Sequence, residues 1–125
     1  MVQGKNLYAS CASCHGANGE GAQDTVPPLV GAELIAGSPS RAIAIVLNGM
    51  KGPVTVKGKT YSATMQAYGK GVPLSDLEIA SVLTYVRLSW GNTHAPVDVA
   101  DVTAARTMHK ARTSPWSAAE LQALK

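Results

Sequence analysis

Large aromatic side chains are scarce in this 125-residue sequence, which has two tryptophans, four tyrosines and no phenylalanine. A core of this size normally contains more of them, because aromatic rings bury large apolar surfaces. The scarcity is consistent with a bulky cofactor that fills part of the interior. With 46% hydrophobic and 15% charged residues, the composition is typical of one soluble globular domain and excludes a disordered chain.

Long apolar runs and strong charge are also absent. No stretch approaches the roughly 18 apolar residues of a membrane-spanning helix. The formal net charge of +3 is too small to indicate binding to nucleic acid or a polybasic membrane anchor. The first residues, Met1 to Lys5, contain no apolar signal core. This absence predicts either a cytoplasmic protein or a mature domain without its leader.

The hydrophobic pattern predicts a mainly helical fold. A first helix is expected from Val2 to Cys14, and a second begins at Ser38-Pro39, a pair that favours a helix start. The clearest helix begins at the capping box Ser75–Glu78 and ends at Gly91. Its apolar stripe has the i, i+3, i+4, i+7 spacing of a helix and consists of Ile79, Val82, Leu83 and Val86.

Between these helices the sequence predicts one short hairpin and a loop. Pro53 to Val56 alternates in polarity, Lys57-Gly58 is a turn, and Lys59 to Tyr61 returns. Residues 61–73 are expected to form a loop. The hairpin is therefore expected to be a minor element of a helical protein.

The end of the chain reads as an addition to this domain. Helices are expected from Asp98 to His109 and from Ser114-Pro115 onward, with Trp116, Leu121 and Leu124 facing inward. We therefore expect a domain over residues 1–92 and a C-terminal extension over residues 93–125 that packs on the same domain.

The strongest chemical signal is the segment Cys11-Ala-Ser-Cys14-His15, which contains both cysteines of the chain. It matches C-x-x-C-H, the attachment motif of c-type haem. Two thiols three residues apart on one helical turn can reach the two vinyl groups of a porphyrin and form thioether bonds. The adjacent imidazole then lies under the iron as its proximal ligand. A thioredoxin-like redox pair would need a βαβ setting that this chain lacks. Structural zinc would need four ligands, and the motif supplies three at most.

The sixth iron ligand has several candidates in the sequence. They are Met1, Met50, Met65, Met108, His94 and His109. A methionine thioether favours ferrous iron and raises the potential of an electron carrier. Met65 is preferred, because it lies in the predicted loop before the capped helix, where it can fold over the far face of the haem. Met50 is the second choice, with a core or haem-rim position as its ordinary role.

Beyond the motif, the sequence resembles the class I cytochrome c family. Gly4 and Tyr8 are similar to that family's N-terminal helix, Leu83–Val86 to its C-terminal helix, and Pro27-Pro28-Leu29 to its proline loop. The resemblance implies an all-α fold in which those two helices cross closely at the small glycine. It also implies that the Pro28 carbonyl accepts a hydrogen bond from the His15 Nδ1 proton and so orients the ring.

A more specific resemblance is to the cytochrome c domains attached to periplasmic dehydrogenases, copper nitrite reductases and haem–copper oxidases. In that group the axial methionine stands at the position of Met65, usually before a proline, where this chain has Gln66. The segments that carry the resemblance are Leu47–Pro53, Gly58–Tyr61, Met65, Leu74–Ala80 and Ser89–Asn92.

The resemblance implies an electron-transfer protein with one covalently attached haem c and His15/Met65 ligation. Thioether attachment implies a bacterial periplasmic location, so the leader was removed by processing or omitted on expression. The implied partners are a periplasmic dehydrogenase, reductase or terminal oxidase, met by a monomer or by a domain of a larger complex. The alternative is a haem protein that binds ligands or catalyses a reaction at an open sixth site. Hydrolytic catalysis has no support, because no nucleophile–base pair lies near the motif.

Overall fold

The computed structural model describes residues 2–16, 18–21, 29, 35, 39–56, 58–65, 74–90, 92, 94–112 and 114–124. In this part of the chain five helices and two strands follow one another. The helices are α1 (Val2–His15), α2 (Ser40–Asn48), α3 (Asp76–Arg87), α4 (Val99–Met108) and α5 (Ala118–Gln122). The strands are β1 (Met50–Val56) and β2 (Lys59–Met65). None of the helices in the described ranges has the length and apolarity to cross a bilayer.

Helices α1 and α3 cross at Gly4, where the backbones come unusually close. A Cβ atom built on Gly4 would lie 2.9 Å from the Tyr85 Cβ and would collide with the Ser81 carbonyl oxygen. Only glycine therefore fits at this crossing without moving one helix. The small residue Gly4 therefore sets the distance between α1 and α3.

Three aromatic rings extend the α1–α3 contact toward the end of α1. The Tyr8, Tyr85 and Trp90 ring centroids lie 5.1–5.7 Å apart in tilted or edge-on arrangements, which aromatic quadrupoles favour. The Tyr8 hydroxyl donates a 2.6 Å hydrogen bond to the Gly16 carbonyl. Burial raises the pKa of this phenol, with the neighbouring Cys11 as a further cause. Tyr8 therefore stays a neutral donor that ties the aromatic cluster to the end of α1.

The capped helix α3 confirms its sequence prediction. The Ser75 hydroxyl accepts from the Glu78 backbone N–H, and the Glu78 carboxylate accepts from the Ser75 N–H. The predicted apolar stripe is buried in the main core, a cluster of apolar residues that also contains Tyr8, Ile43, Tyr61 and Val102. The helix ends at Arg87 rather than at Gly91. Arg87 is only 1% exposed, and its guanidinium donates to the carbonyls of Ala95 and Ile35 at 2.8 Å each.

The expected all-α fold class is wrong, because the structure is a mixed helix and sheet protein. Strands β1 and β2 are seven residues each and pair antiparallel from Met50↔Met65 to Val56↔Lys59. Both strands thus extend further from the turn than the predicted Pro53–Val56 and Lys59–Tyr61. In β1 the exposed residues alternate with buried or half-buried ones from Met50 to Val56, since one face of the hairpin packs on the core.

The segment after Asn92 is joined to the body by packing and polar contacts. Val102 of α4 is fully buried in the main core. Arg106 pairs with Asp76 at 2.7 Å and also donates to the Leu74 carbonyl at 2.8 Å. Thr103 donates to the same Asp76 carboxylate. The pKa of Asp76 is lowered, chiefly by this Thr103 bond and then by Arg106. The α4 helix therefore covers the start of α3.

Replacing Gly4 by alanine is expected to destabilise the protein, although alanine is the better helix former. The helix preference for alanine is worth about 1 kcal/mol, whereas overpacking of a close contact costs about 1–3 kcal/mol. Gly4→Val should cost more than Gly4→Ala, because its branched side chain meets the Ser81 carbonyl. Denaturant unfolding of the haem-loaded protein measures the change in the free energy of unfolding for each variant.

The matched control is Lys5→Ala, because Lys5 is the next residue of α1 and is exposed. It should leave the free energy of unfolding nearly unchanged. A Gly4→Ala variant as stable as Lys5→Ala would show that α1 and α3 do not cross at this distance.

Candidate haem site

The three residues of the attachment motif lie in the last turns of α1. Cys11 is half-buried and packs against the main core, and the backbone of Cys14 lies one helical turn further on. Residues three apart share one face of a helix. His15 is the last residue of α1 and is half-buried, with its Nδ1 atom buried. Gly16 follows at φ +83°, a conformation that ends helices and suits glycine.

The backbone after His15 folds back onto the end of α1. The Gly21 N–H donates to the His15 carbonyl at 2.7 Å, and the Gly19 N–H donates to the Gly16 carbonyl at 3.2 Å. These bonds occupy carbonyls that a helix end otherwise leaves without partners. The Gly19 carbonyl in turn accepts from the Leu29 N–H at 2.7 Å. The motif is therefore held by a compact turn.

The proposed Pro28 acceptor lies outside the described residues, but its neighbour Leu29 is placed. The Asn92 side-chain amide donates to the Leu29 carbonyl at 3.3 Å and to the Val86 carbonyl at 3.0 Å. Asn92 is buried. It therefore joins the chain just after Pro28 to the end of α3.

Met65 ends β2 and faces the interior, rather than lying in a loop as the sequence predicts. Residues that alternate along a strand share one face, so Met65 shares the inner face of the hairpin with the buried Tyr61. Its register partner is Met50 at the start of β1. Paired residues point to the same face. The two methionines that the sequence puts forward as ligands are thus neighbours on one surface.

A tryptophan from the C-terminal segment continues this row. Trp116 forms a parallel bridge with Met50, in which the Trp116 N–H donates to the Gly49 carbonyl at 3.0 Å. The Trp116 carbonyl accepts from the Lys51 N–H at 2.9 Å. Trp116, Met50 and Met65 therefore stand side by side. They belong to a second buried cluster formed by Ala44, Ile45, Trp116 and Leu121, against which Met50, Met65 and Leu124 pack.

Arg112 covers the Trp116 ring from outside. Its guanidinium carbon lies 3.7 Å from the ring centroid, a cation–π contact. The same group donates to the Ser114 and Pro115 carbonyls at 2.9 and 2.7 Å, and to both carboxylate oxygens of Glu120 at 2.8 and 3.0 Å. The bonds from Arg112, followed by those from Ser117, lower the pKa of Glu120 to about 2. The His109 ring lies edge-on to the indole, with centroids 4.9 Å apart.

This donor set fits a covalently held iron porphyrin. The chain offers two cysteines and a histidine at one helix end, and soft thioether sulfur on the apolar inner face of the hairpin. The Trp116 Nε1 is buried, and no acceptor for it is found among the described residues. Because buried donors are nearly always paired, its acceptor is expected outside those residues, and the cofactor is one such group.

Sequence patterns identified the attachment motif but missed the neighbourhood of Met65. They placed Trp116 inside a last helix that begins at Ser114. The structure instead places it before α5, which begins behind a capping box of Ser117 and Glu120. That capping box is visible in the sequence and is the signal that locates the helix start. The pairing of Trp116 with Met50 leaves no local signal, since 66 residues separate them.

Comparison with known proteins agrees with this class of site. Residues 1–90 match the model of the cytochrome c family. Cytochrome c-552 of Thermus thermophilus is 39% identical over 96 residues, which cover 74% of this chain and 71% of that protein.

Two dehydrogenase subunits are also similar. The cytochrome c subunit of the quinone alcohol dehydrogenase of Gluconacetobacter polyoxogenes is 34% identical over 109 residues. The gluconate 2-dehydrogenase cytochrome c subunit of Pantoea cypripedii is 36% identical over 107 residues. These alignments cover 84% and 82% of this chain but only 22% and 24% of the subunits.

The family match, together with the C-x-x-C-H motif, defines a protein that carries covalently attached haem c and transfers electrons. The chain belongs to the cytochrome c family.

The Arg112–Glu120 pair predicts a pH dependence of stability. The pKa of Glu120 is about 2 in the folded protein against an ordinary value of 4.5. The contribution of ionised Glu120 to the stability of the folded protein is therefore fully present above pH 4.5 and is lost as the pH falls toward 2. Glu120→Gln should lower the thermal midpoint near neutral pH, and the difference from the parent should shrink as the pH falls through this range. Added salt should weaken the effect, because Glu120 is exposed.

The control is the same change in an Arg112→Gln background. There the effect of Glu120→Gln on the pH dependence of the thermal midpoint should be smaller but not absent, because the Ser117 N–H and hydroxyl still bind the carboxylate. A pH-dependent difference as large as in the Arg112 parent would contradict the assignment of the pair.

Proposed function

We propose that Cys11 and Cys14 form the two thioether bonds to the haem, and that His15 and Met65 bind its iron. The observation that carries the proposal is the position of the motif at the end of α1, which ends immediately after His15. There both cysteines lie one turn apart on the helix and the imidazole follows them directly. The bound haem supplies the one-electron couple, while the chain sets its ligands, burial and access of water.

Met65 is the proposed sixth ligand. It lies on the inner face of the hairpin, between the main core and the second cluster, and packs against both. Met50 lies directly opposite, so the hairpin by itself brings both sulfur atoms to the same side. The resemblance to cytochrome c domains favours Met65, and Met50 then serves as its apolar neighbour.

The Pro28 carbonyl is proposed to accept a hydrogen bond from the His15 Nδ1 proton. Two observations support it: the Nδ1 atom is buried, and the next residue, Leu29, is held by Gly19 and Asn92. Such a bond fixes the ring and makes the imidazole a stronger donor to the metal.

Electron transfer is fast when the iron keeps the same ligands in both oxidation states. The chain promotes this by supporting each ligand with packed structure. His15 is backed by the turn at Gly19 and Gly21, and Met65 by the hairpin and the cluster around Trp116. The apolar side chains packed against Met65 also keep water from its sulfur, so less solvent has to reorganise. The chain therefore contributes rigid ligand placement.

The proposed partners are redox proteins of the bacterial periplasm, such as a dehydrogenase, a reductase or a terminal oxidase. The support comes from relatives that are cytochrome c subunits of dehydrogenases. The chain acts there as a free carrier or as one domain of a larger protein. Encounters between redox proteins use small interfaces and are weak.

Covalent attachment through Cys11 and Cys14 is tested by extracting the purified protein with acidified organic solvent. The parent should keep all of its pigment in the protein fraction. Cys11→Ala and Cys14→Ala should each retain one thioether bond, and the unreacted vinyl group should shift the reduced absorption bands to longer wavelength. The double variant should lose all pigment to the solvent. Pigment retained by the double variant would contradict attachment of the haem through Cys11 and Cys14.

Ligation by Met65 is tested against Met50 in the same purified protein. Met65→Leu should convert the ferric haem from the six-coordinate low-spin state to a high-spin state and abolish the weak charge-transfer band at the red end of the spectrum. The ferrous form of this variant should bind carbon monoxide rapidly. Met50→Leu should keep the low-spin spectrum, because leucine is close to methionine in volume.

If Met50→Leu loses the low-spin spectrum and Met65→Leu keeps it, Met50 is the sixth ligand of the iron. Rapid binding of carbon monoxide by the unchanged protein would instead favour the second function, a haem protein with an open sixth site.

A further inference from the structure

The C-terminal segment over residues 114–124, here the Trp116 segment, lies against the hairpin at the end that carries Met65. Trp116 is 6% exposed, so its indole fills an interior position rather than a surface one. We propose that Trp116 is a positioning residue that holds the Met65 side chain toward the iron; the proposal rests on ligation of the iron by Met65.

The first support is the order of side chains across the hairpin. Trp116 bridges Met50, and Met50 pairs with Met65. Since bridge partners share one face of a sheet, the indole and both methionine side chains form a single row. Methionine has three flexible torsions and fills whatever space is open to it. A rigid ring at the end of the row limits that space for Met50 and, through Met50, for Met65, and both methionines pack against the cluster that contains the ring.

The second support is that the indole itself is held on several sides. Its backbone is bound to Gly49 and Lys51 at the start of β1. Arg112 lies over its outer face, and His109 lies against its edge. Arg112 is in turn fixed by both oxygens of Glu120. The ring therefore has few alternative positions, which a positioning residue requires.

The third support is the way the Trp116 segment is joined to the rest of the protein near α2. The Asn48 side-chain amide donates at 3.0 Å to the carbonyl of Arg112, two residues before this segment, and the Arg41 Nε donates to the Leu124 carbonyl at 3.1 Å. Both donors belong to α2, whose residues Ala44 and Ile45 are buried members of the second cluster. Helix α2, the hairpin and the Trp116 segment thus enclose Met65 together.

Removing the indole is expected to loosen the iron–sulfur bond without removing the ligand. An added ligand must displace Met65 before it binds iron, so its apparent affinity rises as the displaced state becomes more populated. Trp116→Leu should raise the affinity of the ferric protein for imidazole at least about tenfold. Trp116→Phe keeps a ring and should give a smaller increase. Both should retain a low-spin spectrum without imidazole.

The control is Arg106→Met, which removes the bonds from α4 to the Asp76 carboxylate and the Leu74 carbonyl at the start of α3. It should lower the thermal midpoint and leave the imidazole affinity unchanged. Trp116→Leu in a Met65→Ala background should also have no effect on imidazole affinity, because no methionine then has to be displaced.

Two failures are distinguishable. If Met65→Leu leaves the charge-transfer band and the imidazole affinity as in the parent, the proposed ligand is wrong. If Met65→Leu opens the iron but Trp116→Leu and Trp116→Phe bind imidazole within about twofold of Arg106→Met, Trp116 is structural only and the positioning role is overturned. Should Trp116→Leu fail to fold, the Trp116→Phe comparison decides alone.

Discussion

The close crossing of α1 and α3 at Gly4 is the contact on which the rest of the structure depends. A side chain there would collide with the Ser81 carbonyl, so the absence of one sets the distance between the two helices. The crossing places Tyr8 against Tyr85 and Trp90, and the Tyr8 hydroxyl then binds the Gly16 carbonyl. Gly16 directly follows the attachment motif. The position of the proposed haem ligand His15 is thus set by contacts within the main core.

The surroundings of the proposed sixth ligand are built differently. The hairpin brings Met50 and Met65 together through strand pairing, and α2 and the Trp116 segment pack behind them. The extension therefore does more than cover the core. Its two backbone bonds to β1 add an extended residue to the edge of the hairpin, and its Arg112–Glu120 pair keeps the indole covered.

Local sequence signals predicted the elements whose cause is local. The capping box at Ser75 and the stripe that follows it are complete within a dozen residues, and the structure has both. The sequence predicts only part of the hairpin, because Lys51-Gly52 interrupts the apolar pattern of β1 and the residues from Tyr61 to Met65 read as a loop. Its outer residues pair because the opposite strand and Trp116 supply partners, and periodicity within one strand does not report partners. This is the reason the expected all-α class was wrong.

The sequence by itself determined the chemistry: two thiols and an imidazole at the spacing of C-x-x-C-H are a property of five consecutive residues, and no folding is needed to recognise them. The tertiary structure decided which distant side chains surround a proposed sixth ligand. Met50, Met65 and Trp116 meet only because two strands and a later segment pair side by side. Such pairing is decided by long-range packing of the whole core, so no segment of the chain encodes it alone.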